Sequence, residues 1–267
     1  MLKTLKIYNP MNLRLDGRIE KTLTKPASRS TFSKYYVANA RIPSNRWYTL
    51  SSGEISRLTS DKAPPAGKSL TVLKLSKSFL GNVHQLFPLA SSPPPDEAAN
   101  SNSLTEIAYT ITNELSEYLD IQHTGLAGIC QHQLGFPTVT ICGRRKKRVG
   151  LHIDSWEKKP ITTRHTSTNR ICINIGNSGR RFIYVNHTLS DLAYLLRVNP
   201  RTGNTCAISS LIARLWRRYP GFPVYSLNLE PGDAYVGPTE NIIHDACDTL
   251  VATDNATLTV LGQFQPK

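Results

Sequence analysis

The strongest constraint on the fold of this chain is a change of rhythm near residue 137. From there seven short runs rich in β-branched and aromatic residues follow one another within about 130 residues: "TVTIC", "VGLHID", "RICINIG", "RRFIYVN", "VYSLNLE", "DAYVG" and "TLTVLGQF". Such side chains fit a pleated surface, and many short strands at this spacing close into an antiparallel sandwich or barrel. A short helix over 209–219, "SSLIARLWRRY", interrupts the series. Upstream, "SLTEIAYTITNELSEYLD" (103–120) opens with Ser103 and Glu106 at capping-box spacing. It sets Leu104, Ile107, Ile111, Leu115, Tyr118 and Leu119 on one face, which predicts an amphipathic helix supporting the β core. "DKAPPAGK" (61–68) and "SSPPPDEAANSNS" (91–103) are loops, because proline cannot donate to a ladder and disfavours a helical residue before it. The expected organisation is one domain, mainly β with flanking helices. In it, residues 1–102 form an N-terminal extension of mixed elements packing on a core of 103–267.

Hydrophobic residues make up 39% and charged residues 19%, far from the composition of a disordered chain. The absence of an uninterrupted apolar run of about 18 residues predicts no membrane span, and the start lacks an apolar signal core, so a cytoplasmic location is expected. Five cysteines without a CxxC pair indicate neither a zinc knuckle nor a disulfide framework, and are expected as buried free thiols. A net charge of +13 suits an anionic ligand, a nucleic acid, an acidic partner or solubility alone. The densest run, Arg144 to Arg148, reads as a solvated loop.

Chemistry concentrates in "GLHID". Residues i and i+2 share one face of a strand, so His152 and Asp154 point one way while Leu151 and Ile153 point the other. An imidazole and a carboxylate, completed by one distant histidine, make the facial triad of non-haem Fe(II) oxygenases, which leaves coordination positions open. The distant candidate is His244, 92 residues on, beyond a Pro231-Gly232-Asp233 turn. Singly, each of these residues is an ordinary strand-end or loop side chain; their order within a β series is what favours a metal. The HxD, the PGD turn and the distal histidine resemble the Fe(II)/2-oxoglutarate-dependent dioxygenases of the cupin-like double-stranded β-helix superfamily, over about 138–264. The resemblance implies a double-stranded β-helix (jelly-roll, cupin-like) core, with His152, Asp154 and His244 as metal ligands and catalytic residues. It also implies Fe(II), 2-oxoglutarate as cosubstrate, and O2.

Many members of that class hold the distal carboxylate of 2-oxoglutarate with an arginine on the last strand, whereas "DACDTLVATDNATLTVLGQF" has no Arg or Lys before Lys267. Arg170, 18 residues after His152 and on one strand face with Cys172 and Asn174, is the expected replacement, since a guanidinium grips a carboxylate bidentately. Thr140 and Asn174 are expected beside the cosubstrate, and Trp156, Arg164 and Arg181 against the substrate at the barrel mouth. Arg180 and His165 lie in the same neighbourhood but read as solvated rim, and Tyr235 reads as core. The implied activity is hydroxylation of an aliphatic carbon in a small anionic or amino-acid-like molecule of specialised metabolism, carrying a carboxylate or phosphate. Desaturation, cyclisation and epoxidation are variants of the same chemistry. One rival is a cupin-type iron oxygenase that does not use 2-oxoglutarate, motivated by the missing arginine. Another is a basic nucleic-acid-binding protein without catalysis, whose affinity would fall steeply with salt.

Overall fold

The computed structural model describes residues 4–65, 67–86, 101–131, 135–198, 205–247 and 256–267. The N-terminal part supplies β1 (Lys6–Tyr8), β2 (Ile19–Pro26), β3 (Arg41–Pro43), β4 (Tyr48–Thr49), α1 (Ser52–Leu58), β5 (Thr59–Ser60), β6 (Ser69–Lys74) and α2 (Lys77–Leu86). Helix α3 (Ser101–Leu115) leads into β7 (Leu119–Gln131), a short hairpin of β8 (Ile141–Cys142) and β9 (Lys147–Arg148), and then β10 (Asn169–Asn174) and β11 (Arg180–Thr188). Next come α4 (Leu189–Leu195), α5 (Thr205–Arg218), β12 (Pro223–Leu229), β13 (Asp233–Gly237), β14 (Ile242–Cys247) and β15 (Ala256–Pro266). Two sheets carry this mainly β chain. The first runs β5-β1-β6-β13-β10-β15-β7 and the second β14-β11-β12-β2-β3, with β4 beside β2. Of the N-terminal strands, β1, β5 and β6 belong to the first sheet and β2, β3 and β4 to the second.

Alternation along the strands explains the layers. On β10, Ile171 and Ile173 pack with Phe79 and Val83 of α2 and with Ile107 and Ile111 of α3. Cys172 points the other way, into a cluster with Phe182, Tyr184 and Tyr235 between the sheets. On β11, Phe182 and Tyr184 face that cluster, while Ile183 and Val185 pack under Leu192 of α4 and Leu211 and Leu215 of α5. Helices thus cover both outer faces, and each fully buried Ile, Leu or Val contributes about 1.5–3 kcal/mol. By the same parity, Arg170 and Arg180 fall on the inter-sheet side and Arg181 on the opposite one.

Several predicted boundaries move. Helix α3 ends at Leu115, not at 120: Tyr118 N–H turns back to the Leu115 carbonyl, and Leu119 already pairs with Pro266 in the β7/β15 ladder. The helix begins at Ser101, so Ser103 lies within it, and the Ser103 side chain falls outside the described residues. The second helix starts earlier than predicted, at Thr205. "TVTIC" is a strand only at Ile141–Cys142, and "VGLHID" forms a single isolated bridge, His152 to His244. Gly150 accounts for the interruption. Its φ of +73° is not extended, and a Cβ there would meet the Arg41 carbonyl oxygen at 2.4 Å, so the chain turns at this point and only His152 regains pairing. In the β8/β9 hairpin the basic run is exposed from Arg144 to Lys147, but Arg148 turns inward over the Phe136 ring. Cys172 and Cys247 are buried, whereas Cys130 is exposed and Cys142 half-exposed; the Cys206 side chain lies outside the described residues. Among the described residues no helix is long and apolar enough to cross a membrane.

Candidate metal centre

His244 is carried by β14, whose residues are all buried and whose ladder with β11 sets it directly opposite Tyr184. Its Nδ1 faces the Ile242 carbonyl at 3.2 Å, which turns Nε2 toward Asp154 Oδ2 at 3.7 Å. His152 is locked beside it by two backbone hydrogen bonds. The His152 N–H donates to the His244 carbonyl at 3.0 Å and the His244 N–H returns to the His152 carbonyl at 2.8 Å. His152 Nδ1 lies 3.0 Å from the Gly150 carbonyl, leaving its Nε2 3.7 Å from Asp154 Oδ1. One ligand atom from each of His152, Asp154 and His244 lies within 4.8 Å of the others. Donors bound about 2 Å from an ion sit about 3 Å apart, so small side-chain adjustments would close this cluster on one divalent metal. Two imidazoles and one carboxylate are the ligand set of the facial triad.

The electrostatics of the cluster are divided. Burial lowers His244 to about 4, outweighing the pull of Asp154, so its imidazole is neutral and ready to ligate. Burial opposes the charged form of His152 as well, but hydrogen bonding to Asp154 and Asp245 prevails and carries it up to about 10. Burial alone would raise Asp154; His244, His152 and Arg170 together hold its carboxyl well below the usual range.

Asp154 has no ladder to hold it. Its N–H donates to the Thr239 carbonyl at 3.2 Å, and its carboxylate accepts from Arg170 Nη2. Behind it lies Arg164, whose guanidinium donates to the carbonyls of Asp154 and Glu240, both at 2.9 Å, to Ser155 Oγ at 2.9 Å and to Glu240 Oε2 at 3.2 Å. The other oxygen of Glu240 accepts from the N–H groups of Trp156 and Glu157. This buried ion pair clamps the 154–164 loop against the start of β14.

The remaining predicted residues take varied places. Arg164, expected at the mouth, is instead 1% exposed and fully engaged with protein acceptors. Arg181, also expected against substrate, projects away from the cluster because adjacent strand residues alternate; it pairs with Glu20 at 2.5 Å and lies over Trp47. Thr140 Oγ1 donates to Asp245, and the Asn174 amide closes the β10–β11 turn onto the carbonyls of Ser178 and Leu229. Neither is left with a hydroxyl or amide donor for a cosubstrate. Trp156 is exposed two residues beyond Asp154. Arg170 is on the inter-sheet side, but its Nη2 is committed to Asp154, while its buried Nε has no partner among the described residues. Tyr235 is buried and stacked on Phe182 at 4.0 Å.

Sequence reasoning set aside Arg180 as rim. Its side chain is buried, and Nε and Nη1 have no hydrogen-bond partner among the described residues. Both Arg170 and Arg180 act on Tyr235, whose hydroxyl is pushed well above its ordinary range by burial, then by Cys172, against the pull of the two guanidiniums. Asp245 was also missed. It is fully buried, with Oδ2 3.4 Å from His152 Nδ1. Its signal was its place immediately after His244.

The chain matches no protein-family model, and a comparison with curated proteins finds no match. Among solved structures, it is similar to HygX from Streptomyces hygroscopicus with nickel and 2-oxoglutarate bound, at 14% identity and a TM-score of 0.31, over 82% of this chain and 88% of that one.

Proposed function

We propose that this protein is a non-haem Fe(II)/2-oxoglutarate-dependent oxygenase on a double-stranded β-helix, hydroxylating an aliphatic carbon of a small anionic or amino-acid-like substrate. The observation that carries the reading is the convergence of His152, Asp154 and His244 ligand atoms within 4.8 Å. Strand order supports the fold. The path β7-β15-β10-β13 faces a second path in which the His152 segment, β14, β11 and β12 are neighbours, two halves of four members each.

Bound iron would supply dioxygen activation, with electrons drawn from the oxidative decarboxylation of 2-oxoglutarate. The chain's own residues prepare the site. His152 and His244 present Nε2, each with Nδ1 turned to a backbone carbonyl. Arg170 holds Asp154 by one oxygen. The buried Arg180 fork, with Nε and Nη1 unsatisfied among the described residues, suits an acceptor; a carboxylate accepts both at once, which fits 2-oxoglutarate and answers the missing last-strand arginine. The stacked Phe182 and Tyr235 rings, with Phe182 5.9 Å from His244, exclude water from that wall.

Anaerobic addition of Fe(II) and then 2-oxoglutarate to the apoprotein tests the reading. A visible charge-transfer band in wild type that is lost in His152→Ala supports it. Iron binding without the band would leave an oxygenase that takes its electrons from the substrate, and no iron binding would overturn the metal assignment.

A further inference from the structure

The carboxylate of Asp245 is divided between two jobs. Oδ1 accepts four donors: the N–H groups of Val139 at 3.2 Å, Thr140 at 3.3 Å and Ala246 at 2.8 Å, and the Thr140 hydroxyl at 3.0 Å. Oδ2 is buried and receives none of them; the polar atom it faces is His152 Nδ1 at 3.4 Å. A buried carboxylate oxygen without a donor is costly, and the backbone N–H and hydroxyl donors to this residue all go to the other oxygen. His152 Nδ1 also lies 3.0 Å from the Gly150 carbonyl, so both groups around it are acceptors. Two acceptors require that Nδ1 keep its proton, so the proton given up when a metal binds is the one on Nε2, the nitrogen that faces Asp154.

We propose that Asp245 is a positioning residue for the metal: it fixes the His152 tautomer and ring orientation so that Nε2 is the ligand atom. The inference rests on the metal reading above. It also assigns a purpose to the 138–140 segment, which forms no strand yet supplies three of the four donors that orient the Asp245 carboxylate.

Asp245→Asn is the informative change. Its amide oxygen can keep the four Oδ1 contacts, but its NH2 group would face Nδ1 as a donor. That would favour an unprotonated Nδ1 and a proton on Nε2, where the metal must bind. Co(II) titration of wild type and Asp245→Asn, with thermal unfolding of the metal-free proteins, measures the consequence. The expected result is about 10- to 100-fold weaker Co(II) binding in a variant whose metal-free form still unfolds in one cooperative transition, because partners that orient a ligating histidine are worth that much in affinity. Wild-type affinity in Asp245→Asn would overturn the inference alone; wild type binding no Co(II) would overturn the metal reading and this inference with it. Should the variant fail to fold, nitrogen chemical shifts of His152 in zinc-loaded wild type decide the matter. A protonated Nδ1 with zinc on Nε2 is expected, and zinc on Nδ1 would overturn the assignment.

Discussion

His244 and the His152–Asp154 pair reach the same point by different means. His244 rides on β14, buried throughout and laddered to β11 from Arg181↔Cys247 to Tyr184↔His244. The 149–164 segment has one bridge, a glycine in the left-handed region, and a shape imposed by Asp245, Arg170, Arg164 and Glu240. Backbone ladders tolerate many side chains, whereas a loop held by side-chain clamps depends on each of them. The two halves of the site should therefore respond very differently to substitution.

The largest effect removes a ligand. His152→Ala or His244→Ala abolishes Fe(II) binding in anaerobic titration, from either half. The next separates the halves. Arg164→Met leaves the Glu240 carboxylate buried and unpaired and costs about 3–5 kcal/mol in urea unfolding. On the laddered side, Tyr184→Phe deletes a buried hydroxyl that has no hydrogen-bond partner among the described residues, so it is neutral or stabilising and leaves iron affinity intact. Equal losses from the two changes would dissolve the distinction.

A smaller effect divides the two inward arginines. Arg180→Met weakens 2-oxoglutarate binding about 10- to 100-fold with iron retained, the worth of charged hydrogen bonds of about 1.5–3 kcal/mol. Arg170→Met acts first on iron, because its guanidinium grips Asp154. Calorimetric titration with each ligand separates them, and iron loss in Arg180→Met would reverse the roles.

The same contrast marks what the sequence could reveal. The strands over "RICINIG", "RRFIYVN", "VYSLNLE", "DAYVG" and "TLTVLGQF" were legible because alternation is local, and the HxD spacing marked His152 and Asp154 although the strand expected there is a single bridge. What local spacing could not show depended on register and on partners far along the chain. "GRR" offers two adjacent arginines, and only the pairing of β11 decides that Arg180 points between the sheets while Arg181 meets Glu20. Arg164 looks like a rim cation until Glu240, 76 residues away, is brought beside it. Thr140 and Asn174 carry the right functional groups, but the fold has already used them. Mixed elements were expected in residues 1–102, but the individual strands were not placed: β1, β3, β4 and β5 are each three residues or fewer and take their stability from neighbours remote in sequence.

The subtlest consequence concerns the metal-free protein and pH, where each half governs one limb of the stability curve. His244, on the ladder, is lowered by burial to about 4 from an unfolded value of about 6.5. Between those values the unfolded chain binds the extra proton, so its contribution is present above about pH 6.5 and is lost as pH falls toward 4. His152, on the loop, is raised to about 10 by Asp154 and Asp245 against the opposing effect of burial. Its contribution is fully present below about pH 6.5 and is lost as pH rises through about 10. Melting temperatures of chelator-treated protein across this range should therefore fall away on both sides of near-neutral pH. His244→Gln flattens the acid limb and leaves the alkaline one, and Asp245→Asn does the reverse by removing one of the two carboxylates that hold the His152 proton. An acid limb that survives in His244→Gln would mean that the buried neutral imidazole on β14 is not its source.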